Sequence, residues 1–178
     1  PIHTVEREMQ IQVTDGIDAR RFPVFVDPIM KAHYFYGRVP VTWLQNDDQE
    51  GLQPRVIDYK RLIGLRDHLR SHPQMSPAIA RLMNNSIRLF DGQHKVAAQI
   101  LNGTPEVDVK VYISPENKDE AKLLFDTLMI TNLEAHSKLR QVPFYTSTLI
   151  ERFSIIYKEL WEEFATTKPS TEHSEANF

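Results

Sequence analysis

Between residues 87 and 98 the apolar spacing of the chain changes period within a few positions. Ile87-Arg88-Leu89-Phe90 has the composition of a buried strand, while Val96, Ala97, Ala98, Ile100 and Leu101 recur at helical spacing. Between the two runs stand Asp91, Gly92, Gln93, His94 and Lys95. A strand that becomes a helix through one glycine must turn sharply, and glycine permits backbone angles that a Cβ would penalise. The first amides of the new helix have no partner within it, and the aligned peptide dipoles put partial positive charge at that end. A phosphate suits such a turn. His94 and Lys95 would add donors at the same end, and Asp91 has the chemistry to hold a metal ion on the phosphates or to orient an attacking group. The competing structural reading makes Asp91 a helix cap, Gly92 a simple turn, and His94 and Lys95 a solvated face.

The flanking sequence surrounds this unit with alternating strands and helices. Residues 8–13, 22–26 and 39–44 read as extended pieces, with Asp15-Gly16 and Asp27-Pro28 as turn formers. Residues 58–72 carry Leu62, Ile63, Leu65 and Leu69 on one side of a helical repeat that Pro73 ends. Residues 78–83 and 87–90 flank Asn84-Asn85-Ser86 and predict a β-hairpin whose second strand delivers Asp91. Asn102-Gly103 is a helix stop, residues 107–113 alternate as a strand, and Ser114-Pro115 reads as the start of a helix reaching about Leu133. A last amphipathic helix is expected over about 145–164, with Leu149, Phe153, Ile156, Tyr157, Leu160 and Phe164 on one stripe.

The bulk properties narrow the function. At 178 residues and 41% hydrophobic content the chain suits one compact domain with an extension. A formal net charge of -3 lacks the cationic excess of a sequence-independent grip on DNA, so contact with DNA would be local or supplied by another part of the protein. The absence of cysteine excludes disulfides, thiolate metal sites and a cysteine nucleophile, and fits a cytoplasmic setting. No apolar run long enough to span a bilayer is present, so no membrane partner is expected.

Phe90-Asp91-Gly92-Gln93-His94-Lys95-Val96-Ala97-Ala98 resembles the DGQHR motif of the bacterial DGQHR-domain proteins, which include the DndB regulators of DNA phosphorothioation and sit in the ParB/sulfiredoxin-like superfamily. Gln53-Pro54-Arg55 before the first helix resembles the arginine-bearing box of ParB-like proteins, and Ile130-Thr131-Asn132 with Lys138-Leu139 resembles their asparagine-centred motif. The likeness covers roughly residues 39–140. It implies an α+β fold with a ParB-like mixed sheet, packed helices and a C-terminal helical extension. The implied organisation is a DGQHR domain over 1–140, a helical extension over 141–165 and a polar tail over 166–178.

The same resemblance implies nucleoside triphosphate binding, with ATP or CTP and Mg2+, slow hydrolysis as its activity, and a setting in DNA modification, defence or their regulation. Gly92, Gln93, His94 and Lys95 would cradle phosphate, with Asp91 on the metal. Arg55, Asn132 and Lys138 would close the site. DNA and a second copy of the chain are further candidate partners. Lys95 departs from the family's arginine and gives up its planar two-pronged fork. The missing sulfiredoxin cysteine excludes sulfinic acid reduction.

Two rival readings stand beside this one. In the first the chain is a phosphotransferase or nuclease, with Asp91 as general base assisted by His94. In the second it is a DNA-binding regulatory scaffold whose motif is only a turn. His68 and His72 have the spacing of paired metal ligands on a helix, yet no third ligand is near in sequence. Arg81 and Arg88 on paired strands would form a small basic stripe for DNA. Trp43 and His33-Tyr34-Phe35-Tyr36 read as core or interface and receive no role.

Overall fold

A computed structural model describes residues 4–13, 19–47 and 57–136, together with 158, 159 and 162. The chain divides into two compact units, Pro1–Asn132 and Leu133–Phe178. In the second, Lys158, Glu159 and Glu162 are helical and exposed. The helix expected over 145–164 otherwise lies outside the described residues, as do Arg55 and Lys138.

The first unit is built on seven strands: β1 (Thr4–Gln12), β2 (Ala19–Val26), β3 (His33–Pro40), β4 (Leu44–Asn46), β5 (Ala78–Met83), β6 (Ser86–Asp91) and β7 (Glu106–Ile113). They form one sheet in the order β1-β2-β3-β7-β5-β6-β4. The sheet is mixed, because β4 runs parallel to β6 and β5 parallel to β7 while the other neighbours are antiparallel. Three helices join it: α1 (Tyr59–His68), α2 (Gln93–Leu101) and α3 (Lys118–His136). The α+β class with a mixed sheet and packed helices is as expected.

Strand alternation sends side chains to two separate cores. Ile87 and Leu89 of β6, Ala78 and Ala80 of β5, and Val107, Val109 and Val111 of β7 pack on one face with Val96 of α2 and Trp43. Phe90 of β6 points the other way, onto Leu124 and Leu128 of α3 with Ile79 and Tyr112. Both faces of β5 are therefore buried, and its sequence is apolar but for Arg81.

The hairpin forms where Asn84-Asn85 predicts it, with φ of 52° and 57° and Met83 opposite Ser86. Two local expectations are corrected. The extended piece placed at 39–44 is the end of β3, a 3-10 turn over Val41–Trp43 and the short β4. The aromatic group His33-Tyr34-Phe35-Tyr36 opens β3, and its Tyr34 and Phe35 are core residues, in line with the reading of the group as core or interface. The third helix starts at Lys118 rather than at Ser114-Pro115, because the Asn117 carboxamide oxygen accepts from the amides of Asp119 (2.9 Å) and Glu120 (3.1 Å) and makes Asn117 the cap.

The basic stripe is also corrected. Arg81 is 3% exposed, and its Nε and a terminal nitrogen donate to the two oxygens of Asp47 at 2.6 and 3.0 Å. The Phe125 ring of α3 lies 4.1 Å from the guanidinium carbon and closes the pair from above. Arg81 thus ties the end of β4 to β5 and is not available to DNA. Removing one partner of such a pair leaves the other charge buried and uncompensated. Asp47→Ala is expected to lower stability by about 3–5 kcal/mol, read as a fall in the urea midpoint. Asp47→Leu combined with Arg81→Met should recover most of that loss.

Candidate phosphate-binding site

Gly92 is the N-cap of α2 and adopts φ 88° and ψ 23°, the left-handed region that L side chains avoid. Space constrains it as firmly as angle does. A Cβ at this position would lie 3.0 Å from the Cβ and 3.1 Å from the Cα of Ala78, which is fully buried in β5. The glycine lets strand β6 pass Ala78 and turn into α2 in one residue. The first intrahelical bond then runs from Val96 N–H to Gly92 C=O at 3.1 Å.

The amides of Gln93, His94 and Lys95 precede that bond and have no partner in the helix. Gly92 offers no side chain to cap them. The reading of Asp91 as the helix cap is therefore corrected, since the capping position belongs to Gly92. Asp91 is half-buried as the last residue of β6, across from Ile79 beside an irregularity in the ladder. What the turn presents is three consecutive backbone donors with a helix dipole behind them, a geometry suited to phosphate oxygens.

The side chains of α2 fasten its surroundings. His94 is 8% exposed, and its Nε2 accepts the Asp58 amide at 3.0 Å. That nitrogen is an acceptor here, so the neutral ring carries its proton on Nδ1. Asp58 in turn caps α1 by accepting from the Arg61 amide at 3.2 Å. At the other end of α2, Asn102 donates to the Arg66 carbonyl at 2.9 Å, so α1 is held at its start and its end. Lys95 Nζ donates to Ser76 Oγ at 2.7 Å and to the Ser76 carbonyl at 3.2 Å. Gln99 donates to Gln74 Oε1 at 3.2 Å, and Gln74 bonds both the amide and the carbonyl of Asp108 in β7 at 3.0 Å.

Of the residues expected at the site, the structure brings Asp91, Gly92, Gln93, His94 and Lys95 together on the end of β6 and the start of α2. Asn132 lies on α3, half-buried and in line with Leu124 and Leu128 at four-residue spacing. Sequence reasoning missed Asp58 and Ser76, which reach the motif through tertiary packing, and the Gln74–Gln99 link further along α2. Among the described residues no group of three or more His, Asp or Glu side chains gathers as a metal site. His68 and His72 stack face to face with ring centroids 4.0 Å apart, exposed on the surface. No helix among the described residues is long and apolar enough to cross a membrane.

No family model matches the chain, and no curated protein matches it. Solved structures do. The chain is similar to sulfiredoxin from Arabidopsis thaliana, at 17% identity and TM-score 0.42 over 53% of this chain and 97% of that one. It is similar to the C-terminally truncated chromosome-partitioning protein ParB of Caulobacter crescentus in complex with CTP-γ-S, at 15% identity and TM-score 0.42 over 80% and 67% of the two chains. A Pnob8-like ParB-N domain is similar at 18% identity and TM-score 0.42, over 83% of this chain and about half (54%) of that one.

Replacing Gly92 tests the turn without any ligand. Gly92→Ala meets both the φ penalty and the Ala78 backbone, so a loss on the order of 2–4 kcal/mol is expected in denaturant unfolding. Gly103→Ala, where a Cβ would meet nothing within 4 Å, should cost only the φ term, about 1–2 kcal/mol.

Proposed function

We propose that the chain binds a nucleoside triphosphate, with its phosphates on the amides of Gln93, His94 and Lys95 at the start of α2. The observation that carries this reading is a helix start whose N-cap is a glycine at positive φ, which supplies no side-chain cap. The motif's resemblance to DGQHR-domain proteins supplies the ligand class, ATP or CTP with Mg2+. In this reading Lys95 leaves Ser76 to meet phosphate, a short move for a flexible side chain with an exposed hydrogen bond. Asp91 holds the divalent cation, and the resemblance adds Arg55, Asn132 and Lys138 as nucleotide-binding residues. His94 keeps the cradle in register through Asp58. Turnover, where present, is slow hydrolysis. The proposed setting is a bacterial DNA-linked system of modification, defence or its regulation, and the proposed division of the chain is a domain over 1–140 with a helical extension.

A second reading has a specific observation in its favour. Lys95 and His94 both already make structural bonds, as a regulatory scaffold that uses the motif only as a turn would have them do. Calorimetric titration with ATP, CTP, GTP and ADP, with and without magnesium, separates the two. The nucleotide reading expects saturable binding to the parent, weakened about tenfold or more in Lys95→Ala, as for a charged hydrogen bond. No heat of binding from a folded parent with any of the four would leave the scaffold reading.

A further inference from the structure

Tyr34, Tyr36 and Arg38 of β3 share one face of the sheet, because alternate residues of a strand point the same way. Across the ladder their partners in β7 are Tyr112, Lys110 and Asp108. The Lys110 ammonium consequently stands among three rings, 4.5 Å from the centroid of Tyr34, 5.4 Å from Tyr36 and 4.9 Å from Tyr112. Ring faces stabilise a cation without neutralising it. Among the described residues no carboxylate pairs with Lys110. Burial pulls this amine's pKa down, but the hydroxyls of Tyr112 and Tyr36 outweigh it and hold the group above the ordinary lysine range. A tyrosine oxygen that accepts from the ammonium keeps its own O–H to donate elsewhere. An uncompensated charge and two hydroxyl donors are thus collected in one place.

The next pair along that face, Arg38 and Asp108, is joined at 3.3 Å and helps to floor a groove of about 410 Å³. Tyr36 and Val109 share the floor, and Gln74, Met75 and Pro77 line the groove with them. Tyr36 belongs to both features. It borders the lysine, lines the groove and remains 49% exposed.

We infer that this part of the sheet is a second ligand site, distinct from the Gly92 turn, for a small organic anion that joins a planar ring to a phosphate. The ring would lie in the groove against Tyr36 and Pro77, and the phosphate would meet Lys110 with the Tyr36 and Tyr112 hydroxyls. The groove falls in the size range of small-molecule sites. A mononucleotide, free or at the end of a nucleic-acid strand, has both parts. The wall residues Gln74, Met75 and Pro77 flank Ser76, which Lys95 holds, so the test must tell the two sites apart.

The test is an NMR titration of the full chain with adenosine 5′-monophosphate, a 5′-phosphorylated dinucleotide and inorganic phosphate, on the parent and on Lys110→Met, Tyr36→Ala, Tyr36→Phe and Lys95→Ala. Expected are saturable shifts at the Tyr36 ring, Tyr112 and Lys110, and tighter binding of the monophosphate than of inorganic phosphate. Lys110→Met should weaken binding about tenfold or more. Tyr36→Ala should weaken it more than Tyr36→Phe, and Lys95→Ala should leave it within about twofold of the parent, less than 0.5 kcal/mol. Tighter binding of the dinucleotide than of the monophosphate would identify a strand end as the ligand, and the reverse a free nucleotide. Should Lys110→Met fail to fold by circular dichroism, the two Tyr36 variants decide. Shifts confined to Gln93–Lys95, no saturation at Tyr36, or equal binding of inorganic phosphate would overturn the proposal.

Discussion

Gly92 is held at positive φ with Ala78 pressed against it, and the path from sheet to helix hangs on that contact. Ala78 itself is fixed, paired with Val109 of β7 and buried in the first core. The position at which α2 begins is therefore set by the sheet and not by the helix. From there the helix organises its neighbours through four polar side chains: His94 and Asn102 reach α1, while Lys95 and Gln99 reach the loop before β5.

This arrangement bears on ligand binding through preorganisation. Amides fixed by a strand on one side and by packed helices on the other need little further ordering when an anion arrives, and the entropy lost on binding falls accordingly. Lys95 is the part that would have to move. Its partner Ser76 is exposed and offers the ammonium only a neutral hydroxyl and a neutral carbonyl. A phosphate that offers a charge-assisted bond in exchange has enough to displace it. His94 is in the opposite situation, buried with an acceptor nitrogen in use, so its contribution is to hold α1 against α2.

The sequence revealed those parts of the fold that depend on local spacing. Alternation in residues 107–113, the Asn84-Asn85 turn, the Asn102-Gly103 stop and the change of period at Gly92 each follow from neighbours in the chain, and each stands in the structure. What escaped depends on partners far away in sequence. Arg81 looked like half of a surface stripe because nothing nearby announced Asp47, 34 positions earlier. A charged residue inside the apolar run Ala78-Ile79-Ala80-Arg81-Leu82-Met83 was the available signal for a buried pair. Pro115 suggested a helix start, but Asn117 offered the better cap two residues later. The tyrosines around Lys110 come from two strands 70-odd positions apart in the chain, and only their register unites them. Gln74 illustrates the limit most clearly, since its task of joining α2 to β7 has no counterpart in local pattern.

The central claim is that the backbone at the start of α2 receives phosphate directly. Amide proton shifts of Gln93, His94 and Lys95, followed by NMR as ATP or CTP is added with magnesium, report on it without relying on turnover. Those three amides should move downfield together and saturate at a common concentration, as donors do when they take up a charged acceptor. Saturable binding that leaves all three unmoved would show that the nucleotide sits elsewhere, and would reduce the glycine turn to a structural joint.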